Sequence, residues 1–143
     1  MTNKKTGIAV LECFQEIPCN PCVSACRAGA ITKETLTSLP AIDTARCIGC
    51  RLCVAACPGQ AIFFISENDA AGTAEITFPY EYRPLPTEGS TVTAVDRLGR
   101  EVCPAVVKKV DALKPYNLTA LVTIEVPAAY RDEVRFMRRS DAK

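Results

Sequence analysis

The feature that most constrains this chain is a run of cysteines that occurs twice near its N-terminus. Eight of the nine cysteines lie between residues 13 and 57. The spacing C-x2-C-x3-C begins at Cys19 and again at Cys50, and an Ala-Ile pair follows each run at the same distance. Because the match extends beyond the thiols, it is an internal repeat. The separation of Cys19 from Cys50 along the chain is the repeat offset, and it relates each residue of the first repeat to its counterpart in the second. Each unit is predicted to be a ligand loop, a short helix ending near its last cysteine, and a strand.

These cysteines are predicted to bind metal rather than to form disulfides. No apolar signal segment precedes Glu12, so the chain is expected in the cytoplasm, where thiols stay reduced. Histidine is absent, which excludes Rieske-type ligation, His-containing zinc sites and a His general base. Thiolates suit both iron–sulfur clusters and zinc, so an all-cysteine zinc site is the alternative to a cluster.

Composition limits the remaining classes of function. The chain has 143 residues and a formal net charge of +1, and it contains no long basic run, so nothing indicates a nucleic-acid partner. No stretch of about 18 apolar residues is present, and no transmembrane segment is expected. A domain of this size that is built around cysteine loops is expected to draw much of its folding free energy from bound metal.

Residues 47–58 read C-x2-C-x2-C-x3-C-P, and residues 6–66 resemble the bacterial two-cluster ferredoxins. In that family, three cysteines of one loop and the last cysteine of the other run bind each cluster. The resemblance implies two [4Fe–4S] clusters as cofactors. The implied ligands are Cys13, Cys19, Cys22 and Cys57 for cluster one, and Cys26, Cys47, Cys50 and Cys53 for cluster two.

The first run departs from the family pattern at two positions. Pro58 follows Cys57 as in the family, but Arg27 follows Cys26. Cys13 precedes the next ligand by five intervening residues, where the family has two, and the extra residues are expected to form a bulge. If Cys13 is instead a buried thiol at a strand end, cluster one is [3Fe–4S] or absent.

Three features outside the runs have a structural and a functional interpretation. The lone Cys103, which Pro104 follows, is interpreted as a small core side chain, with a substitute cluster ligand as the alternative. The pairs Lys108–Lys109 and Arg138–Arg139 are interpreted as solvated surface, with partner docking as the alternative.

A composition shift after Ser66 divides the chain into two predicted domains, 1–66 and 67–143. The predicted fold class is α+β: a two-cluster ferredoxin-like N-terminal domain with an appended small antiparallel β-module of four to six strands. Residues 67–72 are polar, and residues 128–139 fit either a helix or a strand. Pro79, Pro84 and Pro86 are expected to break the chain between strands. The predicted strands are residues 8–11, 62–65, 74–78, 91–95, 101–103, 106–110 and 118–126.

No catalytic residues are predicted, because the chain contains no nucleophile–base pair, phosphate loop or dinucleotide motif. Residues 17–31 resemble small iron–sulfur subunits of FAD-dependent amine or amino-acid dehydrogenases of proline, hydroxyproline or sarcosine type. This implies an electron-transfer subunit that relays single electrons between flavin centres, or to an external acceptor. Its partners would be flavoprotein subunits carrying FAD or FMN in a hetero-oligomer, docked through residues 67–143.

Two other functions remain open from the sequence. One is a free-standing ferredoxin shuttle, against which the net charge of +1 argues, because steering of such a carrier is expected to use an acidic face. The other is a structural or redox-sensing module in which clusters hold the fold. The duplicated cysteine runs favour electron transfer over this alternative.

Overall fold

The structure is a computed structural model and describes residues 7–13, 18–19, 21–57, 61–68, 72–80, 85–111 and 119–138. Within these residues, seven strands form one antiparallel sheet, and two further strands form a separate hairpin. The sheet order is β1 (Ile8–Leu11), β4 (Ile62–Asn68), β5 (Thr73–Tyr80), β8 (Ala120–Pro127), β7 (Glu101–Asp111), β6 (Thr91–Val95) and β9 (Phe136–Met137). The hairpin strands are β2 (Ile31–Thr32) and β3 (Ala41–Ile42), and the helices are α1 (Pro21–Ala25) and α2 (Leu52–Ala56).

The two helices follow the sequence repeat, as predicted. Their first residues, Pro21 and Leu52, are separated by the repeat offset, and each helix ends directly before the last cysteine of its run. The Cys26 N–H donates to the Cys22 carbonyl and the Cys57 N–H to the Cys53 carbonyl, both at 3.1 Å. Each helix is a single turn, so its stability must come from packing and from what its cysteines bind.

Strand pairing in the N-terminal half has the same internal symmetry. Ile31 lies opposite Ile42 in the hairpin, and Ile62 lies opposite Leu11 where β4 pairs with β1. Ile62 is the counterpart of Ile31 in the second repeat, and Leu11 is the counterpart of Ile42 in the first repeat. The two pairs are therefore equivalent. The two repeats therefore exchange strands, because each repeat supplies one strand to the pair that contains the other repeat.

Strand β4 has a hydrophobic cluster on each of its faces. Ile62 and Phe64 pack with the buried cysteines and helix residues, whereas Phe63 and Ile65 contact the core of the β-rich part. Successive side chains of a strand point to opposite faces, so one strand can serve both cores. Leu121 of β8 also belongs to the cluster on the cysteine side. The large sheet therefore lies between the cysteine loops and the main hydrophobic core.

The sheet is continuous across the boundary predicted after Ser66. Ser66 lies within β4 and pairs with Glu75 of β5. Buried Thr77 and Thr123 pair through their hydroxyls, with the two oxygens 2.8 Å apart. The N-terminal and C-terminal segments thus share one backbone hydrogen-bonded sheet.

Several of the predicted strands are confirmed, but two prolines lie inside strands. The runs at 101–103 and 106–110 form the single strand β7 through Pro104, and Pro79 lies within β5. Pro79 pairs with β8 beyond the end of the β4 ladder, and Pro104 pairs with β6 before the β8 ladder begins. Each proline has a strand partner on one side only, where a missing N–H is tolerated.

The segment that begins at Ala128, for which the sequence fits either a helix or a strand, contains a 3₁₀ turn, Ala128–Tyr130, and then the short strand β9. No helix of the described ranges is long and apolar enough to cross a membrane. Parts of some predictions lie outside the described residues, namely residues 14–17, where the bulge is expected, Asn20, Pro58, residues 69–71, Pro84, Leu118 and Arg139.

Candidate metal centre

Cys53 lies in a group that joins the two cysteine repeats. It is buried in helix α2. Burial raises the pKa of the Cys53 thiol to about 12, and the negative charges of Cys50, Cys47 and Cys26 contribute to this rise. Cys26 belongs to the first repeat, so the structure brings it to the three cysteines of the second loop.

A reciprocal group surrounds Cys22 in helix α1. Burial raises the pKa of the Cys22 thiol, and the charges of Cys57 and Cys19 raise it further. Cys57 belongs to the second repeat. Seven of the eight predicted ligands therefore fall into two groups, and each group takes one cysteine from the other repeat. Metal binding at either group must displace the protons that burial retains.

The two crossing cysteines receive equivalent backbone hydrogen bonds. The Ala30 N–H donates to Cys26 Sγ at 3.2 Å, and the Ala61 N–H donates to Cys57 Sγ at 3.4 Å. The two donors are related by the repeat offset. An N–H that points at sulfur stabilises the thiolate form and tunes a cluster bound through it. Both groups therefore provide backbone donors of the kind that an iron–sulfur cluster needs around its ligands.

The second loop curls tightly between Cys47 and Cys50. Gly49 has φ of +78°, and a Cβ at this position would lie 3.4 Å from the Phe64 ring, so the need for glycine here has a structural cause. Arg51 also has positive φ, at 63°, and its guanidinium carbon lies 4.7 Å from the Phe64 ring centroid. Sequence reasoning missed Arg51, because a cation–π contact between a loop residue and a strand residue leaves no regular spacing pattern.

Lys33 holds the first loop through hydrogen bonds to backbone carbonyls, and nothing in the sequence predicted this role. Its ammonium donates to the Cys19 carbonyl at 2.6 Å and to the Leu36 carbonyl at 2.7 Å. After α1, the Gly29 N–H donates to the Cys26 carbonyl at 3.2 Å, and Gly29 has φ of +65°. This turn forms with exposed Arg27 at the position where the second repeat has proline.

The bulge expected before Cys19 falls on residues 14–17, which lie outside the described residues, but the backbone hydrogen bonds that flank the two loops are equivalent. The Glu12 N–H donates to Ala61 O at 2.7 Å, and the Asp43 N–H donates to Ala30 O at 2.8 Å. Glu12 and Asp43 are related by the repeat offset, as Cys19 and Cys50 are. The same number of residues therefore separates Glu12 from Cys19 as separates Asp43 from Cys50. The leading cysteine is displaced along the first loop, to the end of β1.

Cys13 is half-buried directly after Glu12, whose carboxylate contacts two arginines. Arg97 Nε donates to Glu12 Oε1 and Arg135 Nε to Glu12 Oε2, both at 2.7 Å. Partial burial favours the neutral carboxyl, but the hydrogen bonds and charges of Arg97 and Arg135 outweigh it, so the pKa of Glu12 is lowered. A charged group thus lies beside the least regular predicted ligand.

The donors fit iron–sulfur clusters in kind. Both groups consist of thiols, which cluster iron prefers, and each has a backbone N–H donor directed at a sulfur. Within the described part of the chain, no three His, Cys, Asp or Glu side chains converge as ligands of a single metal ion. In a cubane, each cysteine instead binds a separate iron corner.

Cys103 lies apart from these groups. It packs partly against the hydrophobic core of the β-rich part, opposite Ala94 in the β6–β7 pairing. Burial raises the pKa of the Cys103 thiol, and the charge of Glu133 adds to this effect. These surroundings agree with the interpretation of Cys103 as a core side chain.

Cys103→Ala is therefore expected to leave the iron content unchanged and to lower the free energy of unfolding by about 1 kcal/mol, through the loss of packed sulfur. Iron analysis and denaturant titration check the two parts. Cys53→Ala is the control that must lose iron. Loss of iron from Cys103→Ala would show instead that Cys103 is a ligand.

Three side chains of the two basic pairs considered as docking sites form ion pairs within the chain. Lys108 lies 3.9 Å from Glu125, Lys109 lies 3.7 Å from Asp111, and Arg138 pairs with Glu101. All three basic side chains are exposed, and such pairs contribute little stability. Their placement agrees with solvated surface.

Comparison with known families identifies one cluster-binding segment. Residues 40–63 match the 4Fe-4S binding domain. This segment contains Cys47, Cys50, Cys53 and Cys57, so the chain carries a [4Fe–4S]-binding sequence in its second run. The match covers one of the two runs. No solved structure matches the chain.

The chain is also similar to subunits of oxidoreductases. It is 39% identical over 85 residues to the B subunit of the selenate reductase of Mesobacillus selenatarsenatis, covering 59% of this chain and 27% of the relative. It is 33% identical over 69 residues to the beta subunit of the dimethylsulfide dehydrogenase of Rhodovulum sulfidophilum, covering 48% and 21%. It is 50% identical over 38 residues to the electron transfer subunit PhsB of the thiosulfate reductase of Salmonella typhi, covering 27% and 19%.

The chain thus spans less than a third of the length of each of these relatives. Their names support the general prediction of an electron-transfer subunit in a larger oxidoreductase. None of the three names refers to an amine or amino-acid dehydrogenase, so the resemblance to that group is not confirmed.

Proposed function

We propose that this chain is a two-cluster electron-relay subunit of a multi-subunit oxidoreductase. Cysteines 47, 50, 53 and 26 would hold one [4Fe–4S] cluster, and cysteines 19, 22, 57 and 13 the other. Bound clusters would supply one-electron redox chemistry. The chain itself would position them, shield them from water and provide N–H donors to their sulfur ligands.

One observation carries this proposal: each cysteine group includes a cysteine from the other repeat. Cys26 lies near Cys53, and Cys57 lies near Cys22. Such an exchange places both groups in one compact unit, since helices α1 and α2 pack against each other. Two redox centres close together suit a relay, whereas a single structural metal needs no second group.

The partner class follows from the relatives. Two of them are subunits of a reductase and a dehydrogenase, and a third is an electron transfer subunit. We therefore propose a separate catalytic subunit that exchanges electrons with this chain. A flavoprotein partner and a cytoplasmic location stay predictions from the sequence.

Co-expression with the proteins encoded beside it, followed by size exclusion, tests the proposed function. The chain should elute with a larger subunit and contain about eight iron and eight acid-labile sulfide. Flavin analysis of the co-eluting subunit tests the flavoprotein prediction separately. A monomer that reduces many unrelated enzymes would support the shuttle, and zinc in place of iron would refute the cluster assignment.

Ile48 offers a test of how a partner approaches the second loop. It lies between Cys47 and Gly49 and is 65% exposed, although large apolar side chains are usually buried. Ile48→Lys is expected to slow electron exchange with the co-purified partner about 10-fold and to leave iron content unchanged, because it places a hydrated charge at the contact. The measurement is stopped-flow reduction followed by cluster absorbance.

Val106→Lys is the matched control, because Val106 is also an exposed apolar residue, on β7 among the paired strands of the β-rich part. It should exchange electrons at the unaltered rate. Equal slowing by both variants would show that the second loop is not the contact.

A further inference from the structure

A buried arginine from near the C-terminus contacts the residue that precedes Cys13. The Arg135 side chain is 4% exposed, and its Nε donates to Glu12 Oε2 at 2.7 Å. Its Nη1 donates to the carbonyls of Arg131 and Val134, at 2.6 and 2.7 Å. The guanidinium is therefore held by its own segment before it reaches Glu12.

Arg97 completes the contact from a second segment of the same half. Its Nε donates to Glu12 Oε1 at 2.7 Å, and its Nη1 donates to the Asp132 carbonyl at 2.8 Å. Glu12 thus receives guanidinium hydrogen bonds on both carboxylate oxygens. Two guanidinium groups that face one carboxylate fix its position more tightly than one flexible ammonium could.

The equivalent residue of the second repeat lacks such a contact among the described residues. Asp43 accepts the Ala45 N–H at 3.0 Å and lies 3.6 Å from Arg46 Nε, so its interactions are local and exposed. The repeats match in helices, strand register and the hydrogen bonds to Cys26 and Cys57. They differ at the residue that leads into each cysteine loop.

This difference coincides with the displaced cysteine. The regular run places its first ligand inside the loop, as at Cys47, whereas Cys13 lies at the end of β1, next to Glu12. The position of a ligand beside the end of a strand depends on how firmly that end is held. The Glu12 N–H bond to Ala61 fixes the backbone, and the arginines fix the side chain.

We propose that Arg135, with Arg97, is a positioning residue for cluster one: by clamping Glu12 it holds Cys13 where it can serve as the fourth ligand. The inference rests on the proposed function, because it takes Cys13 as a ligand. It gives the β-rich part a role within the cluster site, since both arginines belong to that part of the chain.

The test compares Arg135→Met with Cys13→Ala in the full chain, by iron and sulfide analysis and by electron paramagnetic resonance. Cys13→Ala should lose about one iron in eight and give the signal of a three-iron cluster, because one cubane corner loses its ligand. Arg135→Met should give the same signal. The double variant Cys13→Ala/Arg135→Met should show no more of this signal than Cys13→Ala alone. Arg135→Lys should restore four-iron clusters in part.

Arg131→Met is the matched control. Arg131 Nη1 lies 2.8 Å from Glu67 Oε1, so this pair joins the same C-terminal segment to β4. Its removal should leave the cluster signals unchanged, which separates positioning of Cys13 from general attachment of the segment.

A four-iron spectrum of Arg135→Met, with full iron, overturns the proposal. If Arg135→Met does not fold, Glu12→Gln/Arg135→Met decides the question, because it leaves no unpaired buried charge. A four-iron spectrum of that double variant overturns the proposal in the same way. Unaltered protein that contains no iron would instead reject the proposed function.

Discussion

Replacing Cys26 with alanine is expected to disrupt the cluster at the second cysteine loop, although Cys26 lies in the first repeat. The structure places Cys26 near Cys53 and a reciprocal cysteine, Cys57, near Cys22. Iron should fall from about eight atoms per chain to about seven if a three-iron cluster survives, as expected for Cys13→Ala, or to about four if the cluster is lost, because one cubane corner has no ligand. Iron analysis gives the amount, and paramagnetic resonance with redox titration shows which cluster is altered.

Four variants make this result decisive. Cys19→Ala removes a ligand of the first loop, and Cys50→Ala removes a ligand of the second loop. Their spectra therefore define the change that each cluster shows when it loses a ligand. Cys26→Ala should match Cys50→Ala, and Cys57→Ala should match Cys19→Ala. If Cys26→Ala matched Cys19→Ala instead, each repeat would hold its own cluster, and the exchange between repeats would be refuted.

The spacing of the cysteines predicted their chemistry but not their grouping. Two runs with equal spacing are compatible with one cluster per run, and only the resemblance to ferredoxins implied that Cys26 and Cys57 exchange loops. The exchange depends on strand pairing, in which Ile62 of the second repeat lies opposite Leu11 of the first. Pairing between distant segments is a tertiary property that local spacing does not carry.

The strands of the β-rich part were largely predictable, because alternation is a local signal. Residues 91–95 form β6 as predicted, and β8 follows the alternating run that ends at Val126. The alternation did not show that the second face of β8 is also buried: Leu121 and Thr123 are covered, and Leu121 packs in the cysteine-side core. Periodicity shows that a strand has two faces, but what covers each face depends on the assembled fold.

The contacts of Glu12 were beyond prediction for the same reason. Arg97 and Arg135 lie 85 and 123 residues away along the chain. A lone glutamate before Cys13 carries no signal for such partners.

Removal of iron is expected to unfold the cysteine-bearing part and to leave the β-rich core folded. Residues 21–57 contain two single-turn helices and a hairpin of two-residue strands. Three of the ten buried residues in their hydrophobic cluster are cysteines, Cys22, Cys47 and Cys53. Without metal these thiols are small apolar groups, and helices of one turn are not stable alone. Strands β5 to β8 instead pack around a separate cluster that includes Phe78 and Tyr80.

Hydrogen exchange before and after chelation under reducing conditions measures this difference. Amide protection in residues 21–57 should fall on the order of 10³-fold, because bound metal supplies the free energy of that local fold. Protection in β5 and β8 should change less than about 10-fold, which makes these strands the internal control. Unchanged protection in residues 21–57 would contradict a metal-dependent fold. Equal loss in both parts would instead show that the shared strand β4 couples them into one cooperative unit, so that the clusters support the whole sheet.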